Sequence, residues 1–87
     1  MNTKQKKQSA DLIGWYGAAA VLTAYLLITT GVLSAHALLY QGLNISGSAA
    51  IIYEAGYKKD RPVELLNVAW LIIGIVGLVQ IVYSYLT

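Results

Sequence analysis

Gln41, Asn44 and Ser48 stand at i, i+3 and i+7 within ALLYQGLNISGSAAIIY, an otherwise apolar run. That spacing puts all three on one face of a helix, with Tyr40 flanking the side of Asn44. Neutral amides and a hydroxyl offer hydrogen bonding and little else. Deep in an apolar segment they turn to protein or water and away from lipid. Two uses follow. They bond to another helix, at roughly 0.6–2 kcal/mol each, or they line a small polar cavity that holds a solute. Asn67 and Trp70, one helical turn apart further along the chain, could join either arrangement.

Catalytic chemistry is not indicated. The chain has no nucleophile–base pair, no phosphate-binding loop and no paired carboxylates, so it is not expected to be an enzyme. It has no cysteine, one histidine (His36) and four carboxylates. A metal or haem site is therefore not expected, and no cofactor is implied. Glu54 and Glu64 lie close in sequence to Lys58, Lys59 and Arg61, which suits salt bridging at the level of lipid headgroups. Asp11 is expected to cap the first helix. His36 reads as a hydrated boundary residue.

The elements that must position these residues follow from composition. The chain has 87 residues, 57% of them apolar and 11% charged. A soluble domain carries about 25% charge, and a chain this short has much surface to cover. A bilayer removes that difficulty. The net charge of +2 is too small to suggest nucleic acid as a partner.

A helix that crosses lipid needs roughly 20 mostly apolar residues. The sequence predicts an all-α, three-helix transmembrane bundle with helices at about 12–33, 35–54 and 62–86. They form a single membrane domain, residues 11–87, behind a solvated basic tail at 1–10. Gly31 is placed to end the first helix, and Ser34 to N-cap the second. Pro62 falls near the start of the third, where its missing N–H costs nothing. Open strands would leave backbone groups unpaired in lipid.

The cations set the expected topology. Lys4, Lys6 and Lys7 precede the first span, and Lys58, Lys59 and Arg61 separate the second from the third. Three crossings put both groups on one face. The positive-inside rule then places the N-terminus in the cytoplasm and the C-terminus outside, in the cytoplasmic (inner) membrane. Trp15, Tyr16, Tyr53 and Tyr57 suit an inner aromatic belt, and Tyr83 and Tyr85 an outer one. Lysines, an apolar run and Ala35-His36-Ala37 imitate a cleavable signal, but the run of about 22 residues exceeds a signal core of ~7–15.

Small residues predict close helix contacts: Gly14 and Gly17 in the first helix, Gly42 and Gly47 in the second, Gly74 and Gly77 in the third. Three helices bury little between them. Two small-residue faces and an amide face exceed that interior, so self-association as a homo-oligomer is expected, with a larger membrane partner as a further possibility.

At DLIGWYGAAA, TGVLS, ALLYQGLNISGSA and ELLNVAWLIIGIVGL the chain resembles a family of small, uncharacterised bacterial three-span membrane proteins. That resemblance implies a class and no activity. LIGW at 12–15, Tyr53 and DRPVELLN at 60–67 also resemble, more weakly, the SemiSWEET half-transporters of the PQ-loop type. This second resemblance implies a three-helix bundle that dimerises around a sugar-sized path, with Asn67 as a substrate contact. The proline–glutamine hinge of that family is absent, and its basic first loop is uncharged here. Two functions are thus expected in order. The first is a structural or accessory helix-packing membrane protein. The second is a dimeric carrier for a small neutral polar solute, its path lined by Gln41, Asn44, Asn67 and Trp70.

Overall fold

A computed structural model describes residues 2–34 and 37–86. Within them lie three helices: α1, Thr3–Thr29; α2, Leu38–Lys58; and α3, Arg61–Leu86. The all-α, three-helix expectation holds. The expected start of the second helix at Ala35, and His36 itself, lie outside the described residues.

Helix α1 begins earlier than expected. Asn2 is its N-cap: the Asn2 Oδ1 accepts from the Gln5 N–H at 2.8 Å, and the Gln5 Oε1 accepts from the Asn2 N–H at 3.0 Å. This reciprocal pair satisfies two backbone donors that the helix leaves open. Lys4, Lys6 and Lys7 are exposed and belong to this helix. Asp11 therefore lies inside α1 and is not its cap. The helix stops at Thr29, and Gly31 takes φ of 81°, a conformation that glycine adopts without strain.

Ser34 does not cap α2. Ala37 occupies the N-cap position with no side-chain hydrogen bond, and its N–H donates to the Ser34 carbonyl at 3.0 Å. Ser34 thus serves through its backbone. At the other end α2 runs past Glu54 to Lys58, because Lys58 pairs with Glu54 one turn back at 3.0 Å. Lys59 then turns left-handed, with φ 59° and ψ 34°. Its N–H donates to the Gly56 carbonyl, and the Asp60 N–H donates to the Ala55 carbonyl at 2.8 Å. The chain reverses over two residues and enters α3 at Arg61.

Helix α2 is the middle of the three. Both α1 and α3 pack on it, and their backbones do not approach each other. The residues that α1 buries are all small: Ala10, Gly17, Ala20 and Ala24. On α3 the buried residues are Asn67, Gly74 and Ile81, at intervals of seven, the period that keeps one seam against a partner helix. Little bulk is enclosed. Leu12, Leu22, Leu26, Ile72, Ile73 and Val79 all point outward.

The molecule measures 49 × 23 × 23 Å. Helices α1 and α3 are long and apolar enough to cross a membrane. Helix α2, which carries Gln41, Asn44 and Glu54, is not among those that meet that measure. The polar helix is therefore the one flanked on two sides by apolar ones.

Candidate functional site

The face built by Gln41, Asn44 and Ser48 meets α3 where α3 has no side chains. Gln41 is 6% exposed and lies against Gly74 and Gly77. A Cβ placed on Gly77 would collide with its amide, and one placed on Gly74 would stand 3.0 Å from the Asn44 Nδ2. The glycines of α3 are thus the recess into which the α2 amides fit. Ser48 is fully buried, and its Oγ has no hydrogen-bond partner among the described residues.

Asn67 is 3% exposed and turns back on its own helix, its Nδ2 donating to the Val63 carbonyl at 2.9 Å. Its Oδ1 has no partner among the described residues. Asn67 does not line the cleft that Asn44 faces. That cleft, about 210 Å³, opens over α2 between α1 and α3, and its walls include Tyr25, Tyr40, Asn44 and Trp70. Of the residues singled out for solute contact, Asn44 and Trp70 come together. Gln41, Ser48 and Asn67 go to the α2–α3 seam.

The α1–α2 seam is a backbone contact. A Cβ on Gly17 would lie 2.6 Å from the Gly47 carbonyl oxygen, and one on Gly14 would lie 2.6 Å from Glu54 Cγ. Gly42 behaves differently: nothing lies within 4 Å of the space where its Cβ would be. Within one chain, then, Gly14, Gly17, Gly47, Gly74 and Gly77 sit at close approaches, and Gly42 faces outward. The Tyr16 hydroxyl and Ser46 Oγ share a hydrogen bond of 2.9 Å across the same seam.

Charge gathers at one end. Lys58 Nζ lies 2.6 Å from Asp11 and 3.0 Å from Glu54, joining α1 to α2, and Arg61 pairs with Glu64 at 2.8 Å. Hydrogen bonds that the Lys58 ammonium donates to the Asp11 and then the Glu54 carboxylate hold its pKa above the ordinary value. Asp11, Gly14, Trp15, Glu54 and Lys58 border a shallow groove of about 280 Å³ there. The pairing of Asp11 with Lys58 and of Tyr16 with Ser46 had no local signal, since each joins residues 30 or more positions apart. The Asn2–Gln5 capping box did have one, the pattern N-x-x-Q at the head of the chain.

No curated protein and no solved structure matches the chain. The model of an uncharacterised protein family matches residues 10–85, which takes in both helix seams and both clefts. The chain belongs to that family.

Proposed function

We propose that the chain is a small integral membrane protein with a structural or accessory role, a packing module in which a polar helix is shielded between two apolar ones. The observation that carries this is the seating of Gln41 and Asn44 against Gly74 and Gly77. The buried end of the amide face, at Gln41, is filled by the chain's own third helix, while Asn44 also borders the cleft.

Location in a bilayer is supported by the outward-facing leucines, isoleucines and valines of α1 and α3. A soluble monomer rarely exposes one continuous apolar surface of that extent. Helix α1, with 27 residues, is about 40 Å long at 1.5 Å per residue. That exceeds a hydrocarbon core of ~30 Å and leaves its lysine end in the headgroups. With α2 crossing between its neighbours, all six cations come to one side, which the positive-inside rule assigns to the cytoplasm. The open face at Gly42 supports association with a second copy or a larger membrane protein.

A carrier for a small neutral solute is the second reading. What favours it is the meeting of Asn44 and Trp70 in one cleft. Its volume of about 210 Å³ falls below the ~300 Å³ at which solute pockets begin. Flux of neutral sugars and polyols into vesicles holding the purified protein separates the two. The packing role predicts flux equal to that of empty vesicles. Flux that is saturable, and lost in Asn44→Leu, would replace it with the carrier.

A further inference from the structure

The chain's charged side chains all stand at one end of the bundle, around the start of α1 and the turn from α2 to α3. The carboxylates there are unevenly shared. Asp11 and Glu54 hold Lys58, Glu64 holds Arg61, and Asp60 lies in the turn beside Lys59. Lys7 stands four residues before Asp11, a spacing at which helices form ion pairs, but Asp11 is 2.6 Å from Lys58 instead. Lys4, Lys6 and Lys7 are exposed and have no ion pair among the described residues. They sit in the first two turns of α1, where the helix dipole favours anions and opposes cations. The first turn holds no acidic residue. The Asn2–Gln5 box keeps this segment helical, and its positive charge stays uncompensated.

The partner of such a surface is negative, and the geometry selects its form. Lys4 and Lys7, at i and i+3, share a side of the helix, whereas Lys6 is turned roughly 100° from Lys7 and 160° from Lys4 at 3.6 residues per turn. A docked protein chain meets one side of a helix. Headgroups surround an upright helix and meet every side. Residues 3–9, TKQKKQS, contain no aromatic or aliphatic side chain that could anchor a protein interface. They contain no arginine, the residue that grips a phosphate in a fixed two-pronged geometry. Along the axis Lys6 and Lys7 lie about 7–9 Å beyond Leu12, where the apolar run begins, and Lys4 about 12 Å. Headgroups extend roughly 5–8 Å past the hydrocarbon, and lysine stems bend back toward them.

We propose that the first two turns of α1 bind anionic phospholipids of the leaflet they emerge from, with Lys4, Lys6 and Lys7 attracting headgroup phosphates by charge alone. This rests on the membrane location proposed above and adds a lipid partner to it. Lysine is a compact, mobile point charge, so the surface selects negative charge and does not distinguish one anionic headgroup from another. The phosphates also neutralise the cations at the helix start and so stabilise these turns as helix.

The test uses the full chain in phosphatidylcholine vesicles with a trace of phosphatidylcholine or phosphatidylglycerol spin-labelled near the end of an acyl chain. The share of each label slowed at the protein surface gives its relative affinity. Phosphatidylglycerol is expected to be preferred several-fold in low salt, and the preference should shrink in about 1 M salt, where the Debye length falls to ~3 Å. Each lysine changed to glutamine should lower it, by up to about fivefold, and Lys4→Gln, Lys6→Gln and Lys7→Gln together should remove most of it. Glutamine has nearly the helix propensity of lysine, so helical content measured on each variant should be unchanged. Hydrogen exchange at Gln5 and Lys6 should slow when phosphatidylglycerol is added to the host lipid. Equal affinities of the two labels in the parent, a preference that survives high salt, or one that the triple variant keeps in full would each overturn the proposal. So would displacement of the phosphatidylglycerol label by an equimolar acidic peptide, because the partner would then be a protein segment. Protein that enters no vesicle would remove the membrane location and the lipid together, whereas protein that enters and shows no preference removes the lipid alone.

Discussion

A Cβ on Gly17 would stand 2.6 Å from the carbonyl oxygen of Gly47, so α1 and α2 meet backbone to backbone at this pair. No rotamer change relieves such a contact, because the obstructing atom is main chain. Gly17→Val and Gly47→Val are each expected to destabilise the α1–α2 pair by about 1–3 kcal/mol or more, as overpacking does. Gly42→Ala is the control. Its Cβ meets open space, and replacing glycine in a helix favours the fold by roughly 0.4–1 kcal/mol. Unfolding by graded addition of SDS, followed by circular dichroism, measures all three.

Gln41 and Gly77 should be coupled. Gly77→Ala places a methyl in the space of the Gln41 amide, at a cost of about 1–3 kcal/mol. Gln41→Ala alone should be destabilising too. Together the two changes should cost less than their sum, by about 0.5–3 kcal/mol, since the shortened side chain makes room for the methyl. A double-mutant cycle in the same SDS titration measures this. Strict additivity would mean that the amide does not occupy the glycine recess.

The Lys58 bridge predicts alkaline loosening. Lys58 lies beyond the apolar part of α2, and its pKa is raised by Asp11 and Glu54. A raised folded pKa means that the bridge's contribution is complete below the ordinary value of 10.5 and is lost as pH climbs through the folded value. Spin labels near the charged ends of α1 and α2 should report a constant separation from neutral pH up to that value and a widening above it. The expected signature is the difference from Lys58→Met, which should lack the widening.

Asn2→Ala should free the head of α1. Loss of an N-cap side chain costs about 1 kcal/mol, and here it is confined to the exposed lysine turn. Hydrogen exchange at Gln5 and Lys6 should accelerate several-fold, with exchange at Ala20 and Ala24 unchanged.

Much of this architecture is legible in the sequence, for identifiable reasons. The three helices follow from apolar length and from the scarcity of charge, which are local properties. Gly31 declares the first turn because positive φ suits glycine. The shared face of Gln41 and Asn44 follows from helical periodicity. The order of the helices across the bundle does not follow, because nothing local states that α1 and α3 both choose α2. That order is what sends Asn67 to its own Val63 carbonyl and brings Tyr25 opposite Trp70. The start of α1 is legible in the N-x-x-Q pattern at Asn2–Gln5, but the partner of Asp11 is not. Asp11 looks like a cap until Lys58, remote in sequence, comes within 2.6 Å of it.

Thiol labelling from one side of a membrane tests three crossings with the polar helix in the middle. The chain has no native cysteine, so Lys4→Cys, Gly31→Cys, Lys59→Cys and Ser84→Cys each report one position. In sealed vesicles of known orientation, an impermeant maleimide should reach Lys4→Cys and Lys59→Cys from the cytoplasmic face, and Gly31→Cys and Ser84→Cys from the opposite face. Labelling of positions 4 and 59 from opposite faces, or of all four from one, would contradict it.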